Sequence, residues 1–151
     1  MRPSFIQKLQ KESIFLLKSS SSNKSLSLQE LSQDNCSEIT RLLGCWFLNK
    51  YPASTVAVLK GNMVMGSRKA HDILSVTYSD SHYLIDPTIW QFFPRKKSIF
   101  VGKASSLITC LHILKKVYGG SWQVSENVTK SKCTIKNIRT LRSILKNNYL
   151  S

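Results

Sequence analysis

Residues 70–93 read AHDILSVTYSDSHYLIDPTIWQFF and have the pattern of one β-hairpin. Strand-forming residues occupy 73–78, and they resume at 83–85 before Pro87 ends the second strand. The Ser-Asp-Ser run at 79–81 between them has the composition of a turn. The stretch therefore predicts two antiparallel strands whose open end brings distant residues together.

Two candidate catalytic residues are predicted to lie at that open end. His71 begins the first strand and Asp86 ends the second, so the two should lie within about one or two residue pairs of each other on the ladder. A carboxylate in that position can hold an imidazole in one tautomer. Upstream, Cys36 lies at the predicted start of a helix. We therefore predict Cys36, His71 and Asp86 as a catalytic triad.

The helix that would carry the cysteine runs from Cys36 to about residue 51, because apolar residues recur there at helical spacing. The stripe consists of Ile39, Leu42, Leu43, Trp46 and Phe47. Asn35 and Glu38 have the spacing of a capping box. In the first turn, unpaired backbone N–H groups and the helix dipole favour a thiolate. Cys45, in mid-helix, is expected to pack beside the stripe.

Composition indicates one globular domain with a basic surface. The chain has 151 residues, 42% of them hydrophobic, and 22 Lys+Arg against 8 Asp+Glu give a net charge of +14. The tight basic cluster is Arg95-Lys96-Lys97. Because no aromatic-rich strand motif or finger spacing accompanies it, we favour a solvated or protein-docking surface over a nucleic-acid site. An acidic protein partner is consistent with this charge, and nucleic acid is the less favoured alternative.

The four cysteines, Cys36, Cys45, Cys110 and Cys133, contain no C-x-x-C pair and no spacing suited to zinc. We therefore expect free thiols, no metal and no cofactor, in a soluble protein of the reducing cytoplasm. The apolar run at 14–17 is too short for a secretory signal, and no run approaches a membrane span. Export by a non-classical route is the alternative for localisation.

The chain divides near residue 25. Residues 4–17 predict a helix, and 19–25 form a Ser-rich linker, so residues 1–25 are interpreted as a helical appendage with its linker. Residues 26–151 are then a single α+β domain. Residues 27–31 predict one helical turn at its start.

Further strands are predicted at 55–59, returning at 63–65 after a Gly-Asn turn, at 99–102, and as an edge strand at 122–124. The aromatic run at 90–93 should pack as core or cleft wall, because its large rings would otherwise be left in water. With the hairpin, this gives an antiparallel sheet of about four to five strands.

Two further helices are expected. One begins after Ser105 or Ser106 and ends at Tyr118 before Gly119-Gly120, and the last begins at Thr134. The predicted buried face of the first consists of Leu107, Ile108, Leu111, Leu114 and Val117. Its His112 is interpreted as structural.

The order of a helix-borne Cys, a strand His and an Asp after the next strand resembles the papain-like cysteine fold. The residues that carry the resemblance are Asn35-Cys36-Ser37-Glu38, His71, and Tyr83 to Thr88 with Gln91. The match covers about residues 30–95 and is similar to the bacterial branches that include protein-glutamine deamidases and papain-fold toxin domains. Cys36 and His71 are 35 positions apart and His71 and Asp86 are 15 apart, a compact arrangement.

The resemblance implies a sheet packed against an N-terminal catalytic helix and C-terminal helices, a protein substrate and a monomer. Papain-like peptidases place a Gln a few residues before the Cys as an oxyanion donor. Here Gln33 and Gln29 are nearby, and neither is at the expected offset. Gln91 and Trp90 are interpreted as residues near the substrate, with Gln91 either a substrate contact or a structural hydrogen bonder.

Two classes of function follow. The first is a cysteine-dependent amide hydrolase, with protein-glutamine deamidation placed ahead of peptide cleavage, and with acyl transfer to another amine as a variant. The second is a non-enzymatic basic module that binds nucleic acid or an acidic protein. Binding to polyanions that is steeply salt-dependent and indifferent to Cys36→Ala favours the second.

Overall fold

The computed structural model describes residues 4–19 and 25–150, and shows an α+β fold built on one five-stranded sheet. The strands are β1 (Thr55–Asn62), β2 (His71–Tyr78), β3 (Ser81–Asp86), β4 (Phe100–Ala104) and β5 (Ser121–Val128). Their order across the sheet is β4-β3-β2-β1-β5, and every neighbouring pair is antiparallel. The prediction of an α+β protein with an antiparallel sheet of this size is confirmed.

Five α-helices surround the sheet: α1 (Phe5–Ser19), α2 (Leu28–Ser32), α3 (Cys36–Lys50), α4 (Leu107–Tyr118) and α5 (Ile135–Leu150). Helices α1, α3 and α5 lie on one face of the sheet, and α4 lies on the other. Each face therefore has its own apolar core.

The central hairpin has the predicted form. Leu74 pairs with Ile85 and Tyr78 with Ser81, so β2 and β3 are joined by a two-residue turn. Its residues, Ser79 and Asp80, have φ of 51° and 62°. Two positive φ values in a two-residue loop match the right-handed twist of the flanking strands, which fixes the register of the hairpin.

The larger core lies between the sheet and α3. Alternate residues of β1, β2 and β3 point into it: Val56, Val58, Leu74, Val76 and Ile85. Helix α1 also contributes Leu9 and Leu17, both fully buried. The interpretation of α1 as an appendage therefore does not describe its packing, although its helical form is as expected. Residues 20–24 of the predicted linker lie outside the described residues.

The smaller core lies under α4. Cys110, Leu114 and Tyr118 of α4 pack against Leu59, Val64, Ile73 and Leu84. The predicted buried face was wrong for Leu107, Ile108 and Val117, which are exposed. Apolar residues cover much of the circumference of α4, so periodicity alone did not select the stripe that faces the sheet.

The predicted return strand at Met63–Met65 was also wrong. Val64–Gly66 forms a 3-10 turn, in which Val64 is buried while Met63 and Met65 adopt left-handed φ of 56° and 54°. The strand that pairs with β1 on the far side from β2 is β5, from much later in the chain.

A disulfide joins Cys45 of α3 to Cys133, the residue after the Lys130–Lys132 turn that leads into α5. The expectation of free thiols was wrong for this pair. The two Cα atoms are 5.4 Å apart although 88 positions separate them in sequence, because the chain leaving β5 returns to α3. Cys36 and Cys110 are free.

Candidate functional site

Cys36 is the first residue of α3 and is half-buried. Its position in the first turn exposes it to the positive end of the helix dipole. The predicted capping box at Asn35 and Glu38 does not form, since the Asn35 amide instead donates to the carbonyl of Leu31. A capping box occurs one helix earlier, between Ser27 and Glu30 of α2.

His71 and Asp86 form a buried pair at the open end of the hairpin. His71 Nε2 lies 2.9 Å from Asp86 Oδ2, and both side chains are 0% exposed. The register explains the contact, because extending it from Leu74–Ile85 by one residue places Asp86 opposite Ile73. Since side chains alternate along a strand, His71 lies on the same face as Ile73, diagonally across from Asp86. The prediction that hairpin geometry joins the two residues is confirmed.

Asp86 is held by two further donors. Its Oδ1 accepts the backbone N–H of Thr88 at 3.0 Å. Its Oδ2, the oxygen that contacts His71, also accepts the hydroxyl of Tyr118, the last residue of α4. Burial and the charge of Asp86 raise the pKa of Tyr118, so the phenol remains a donor at physiological pH. Asp86 therefore has a fixed orientation.

Tyr118 is the site residue that sequence reasoning missed. It continues the buried series Cys110, Leu114, Tyr118, in which each residue follows the last by four positions. It also directly precedes Gly119, whose φ of 68° ends the helix. That four-residue spacing up to a glycine stop was the signal available, and it was outweighed by the more numerous apolar residues on the neighbouring face of α4.

The charge state of His71 follows from its neighbours. Burial would lower the pKa of His71, but the charge and hydrogen bond of Asp86, and then the nearby Cys36 thiol, raise it to about 10. Nε2 is engaged by Asp86, whereas Nδ1 is buried without a hydrogen bond of standard geometry. Nδ1 is therefore the ring nitrogen left for the nearby Cys36 thiol.

Three aromatic rings surround the imidazole. The Phe92 centroid lies 4.8 Å from that of His71, Tyr118 lies at 5.7 Å and Trp122 at 6.5 Å. Gly61 pairs with His71 on the sheet, and a Cβ at Gly61 would come within 2.5 Å of the Trp122 ring. A side chain at Gly61 would therefore displace Trp122 and open the site to water.

The four residues predicted near the oxyanion or substrate lie in different surroundings. Gln29 is exposed on α2, and Gln33 is half-buried as the C-cap of that helix, three residues before Cys36. Gln91 is half-buried and its Oε1 has no partner among the described residues. Trp90 is 1% exposed and its Nε1 donates to the carbonyl of Lys96 at 2.7 Å, so its role is packing.

The predicted basic cluster, Arg95-Lys96-Lys97, is exposed in the loop between Trp90 and β4. Within residues 4–19 and 25–150, no ion pair involves these three side chains. The same part of the chain contains no group of three or more His, Cys, Asp or Glu side chains arranged to hold a metal ion.

Comparison with protein-family models, with curated proteins and with solved structures finds no match for the chain. Papain-like identity therefore stays a prediction that rests on the resemblance of residues 30–95. Among the helices of the described residues, none has the length and apolar character needed to cross a membrane.

Proposed function

We propose that the protein is a cysteine-dependent amide hydrolase of the papain-like type, with Cys36 as nucleophile, His71 as acid and base, and Asp86 as the group that orients His71. The observation that carries the proposal is the buried His71–Asp86 hydrogen bond, whose remaining ring nitrogen is left for a thiol at the start of α3. This is the arrangement that nucleophilic catalysis by cysteine requires.

The reaction follows from these roles. With its raised pKa, His71 already holds the proton that Cys36 gives up, and the resulting thiolate attacks an amide carbonyl to form a tetrahedral adduct. The backbone N–H of Cys36 is the proposed first donor to the oxyanion, and Gln33 or Gln29 is the candidate for the second. The imidazolium then protonates the departing amine as the C–N bond breaks. Water then attacks the thioester while the neutral His71 takes one of its protons, which expels the Cys36 thiolate, restores the thiolate–imidazolium pair and releases a carboxylic acid that loses its proton to solvent.

We place deamidation of a protein glutamine ahead of peptide cleavage. His71 and Asp86 are fully buried while Cys36 is half-buried, so Cys36 is the one member of the proposed triad that solvent reaches. That geometry suits a protruding carboxamide side chain better than a peptide backbone lying across both groups. A cysteine peptidase of the same fold is the alternative.

The test is the rate of iodoacetamide alkylation of Cys36 from about pH 5 to 9, read by peptide mapping of the non-reduced protein. An ordinary thiol, with a pKa of about 8.5, is almost inert at pH 6. We expect Cys36 to react quickly at pH 6 in wild type and in His112→Ala, an exposed control on α4, and to lose that reactivity in His71→Ala. If Cys36 alkylates slowly at pH 6, as an ordinary thiol would, the proposal fails.

A second candidate, a non-enzymatic basic module, is favoured by the net charge of +14 and by the cluster at 95–97, which forms no ion pair with the residues that the structure describes. It predicts binding to polyanions that weakens steeply with salt and is unchanged in Cys36→Ala. Fluorescence anisotropy of a labelled oligonucleotide against NaCl concentration measures this directly.

A further inference from the structure

An open cavity of about 480 Å³ is lined by Phe92, Phe93, Pro94, Arg95 and Lys96. Two of its walls are shared with the site. Phe92 packs edge-on against His71 at 4.8 Å, and Phe93 packs against Tyr118 at 5.7 Å. Phe92 and Phe93 therefore connect the cavity to the buried group of His71, Asp86 and Tyr118.

The basic rim of this cavity is built from an anchored turn. The buried Trp90 donates from Nε1 to the carbonyl of Lys96 at 2.7 Å. The backbone N–H of Lys96 donates in turn to the carbonyl of Phe93 at 3.2 Å. Because the backbone is tied at both points, Arg95 and Lys96 are presented from a fixed position.

The charges on this rim are free for a partner. Two carboxylates of β2 and β3 already have partners, Asp86 in His71 and Tyr118 and Asp72 in Arg41. In the described ranges Arg95, Lys96 and Lys97 contact no carboxylate. Aromatic walls with an unpaired cationic rim are complementary to a segment that is both apolar and acidic.

We infer that this cavity is the substrate-docking subsite, and that it takes an acidic segment of a protein substrate beside the target carboxamide. An apolar side chain of that segment lies between Phe92 and Phe93, and its carboxylates contact Arg95 and Lys96. The inference rests on the proposed function for the identity of the adjacent reaction, whereas binding itself requires no chemistry.

The experiment uses the Cys36→Ala protein, so that no probe is turned over. Two labelled dodecapeptides are compared by fluorescence anisotropy at 50 and 300 mM NaCl. Each has one central glutamine beside a phenylalanine, and the flanking residues are glutamates in the first peptide and serines in the second. We expect the glutamate peptide to bind about tenfold more tightly at low salt, with the advantage shrinking at high salt.

Two double variants of equal charge locate the binding. Arg95→Gln with Lys96→Gln should weaken the glutamate peptide about 3- to 10-fold. Lys136→Gln with Arg139→Gln, two exposed positions on α5 across the sheet, should change it less than twofold. Equal weakening by both would show a net-charge effect and overturn the inference.

A third set of measurements tests the role of Phe92 and Phe93 and asks whether nucleic acid binds the same surface. Replacing the phenylalanine of the glutamate peptide by glycine should weaken binding at least threefold. If an oligothymidine of matched charge displaces the peptide at equal concentration, the surface is a nucleic-acid site and the inference is overturned.

Peptide binding at Arg95 and Lys96 together with a slowly alkylated Cys36 would support the docking site while the hydrolase proposal fails, so the two outcomes are distinguishable.

Discussion

His71 and Asp72 are neighbours in sequence, and each pairs with an oppositely charged group, yet the two pairs differ in kind. His71 points to the α4 face and meets Asp86, while Asp72 points to the α3 face and meets Arg41 at 2.9 Å. Strand alternation assigns them to opposite sides of one sheet. Asp86 is paired with an imidazole, which can exchange a proton, whereas Asp72 is paired with a guanidinium, which cannot.

The ion pair on the α3 face is part of a cluster that consists of Arg41, Asp72, Glu126 and Lys132. Burial would lower the pKa of Arg41, but Asp72 and Glu126 raise it, so the guanidinium stays charged. Such a cluster holds α3 to β2 and β5, and its guanidinium cannot act as an acid or base. His71, in contrast, can lose its proton, which makes the buried pair on the opposite face suited to catalysis.

The largest expected effect comes from removing the central carboxylate on the His71 side. Asp86→Ala leaves His71 and Tyr118 buried without their shared acceptor, and should lower the free energy of unfolding by about 3–5 kcal/mol. Asp72→Ala should cost about 1 kcal/mol, because the partly exposed Arg41 keeps Glu126 as a partner. Urea denaturation of both variants measures the difference, and equal losses would remove the distinction between the two pairs.

The stabilisation from His71 and the stabilisation from Glu126 should be lost at opposite ends of the pH scale. The pKa of His71 in the folded protein is about 10, above its ordinary 6.5, so its stabilisation is complete below pH 6.5 and is lost as the pH rises towards 10. Partial burial would raise the pKa of Glu126, but Lys132 and Arg41 lower it, so the contribution of Glu126 to stability is present above pH 4.5 and is lost as the pH falls below that value.

Denaturation of wild type between pH 4 and 10 should therefore show an alkaline loss on the order of 3 kcal/mol and a smaller acid loss. His71→Gln should abolish the alkaline loss of unfolding free energy, here called the alkaline limb, and leave the acid loss unchanged. Glu126→Gln should abolish the acid loss and leave the alkaline limb unchanged. An alkaline limb that persists unchanged in His71→Gln would show that another group causes it.

A smaller effect is expected from the hydroxyl that holds Asp86. Tyr118→Phe keeps the ring in the α4 core and removes one hydrogen bond to a buried carboxylate, at a cost of about 2 kcal/mol. With one donor fewer, Asp86 should hold the His71 proton more strongly, which moves the alkaline limb to higher pH. Tyr83→Phe, whose hydroxyl makes no hydrogen bond among the described residues, is the matched control for both measurements.

The smallest effect lies at the exposed rim of the ion cluster. Lys132 is 49% exposed where it contacts Glu126, so Lys132→Gln should change the free energy of unfolding by only about 0.2–1 kcal/mol. A loss comparable to that of Asp86→Ala would mean that the rim, and not burial, determines the strength of these pairs.

Local patterns predicted the parts of the site that are close in sequence. The hairpin brought His71 to Asp86 because strand alternation and a two-residue turn fix that geometry within 16 residues. The start of α3 at Cys36 followed from its apolar periodicity. Whether a Gln completes the oxyanion site stays a prediction.

What the sequence did not reveal depends on contacts between distant elements. Tyr118 reaches Asp86 only because α4 packs with one of its apolar faces on β3, and the choice of face is set by the sheet. The Cys45–Cys133 bond likewise depends on β5 pairing with β1, which returns the chain to α3. The spacing along α4 indicates that Tyr118 is buried but not that it contacts Asp86, and no short-range pattern indicates the disulfide.

That disulfide sets a condition on any assay of the thiol. Cysteine nucleophiles are customarily kept active with a reductant, but here the same reductant would open the cross-link between α3, which carries Cys36, and the segment leading into α5. In the chain-entropy description, closing so long a segment contributes about 4.6 kcal/mol. Cys36 must stay reduced while Cys45 and Cys133 stay oxidised, so the working range of this protein is bounded by redox potential on both sides.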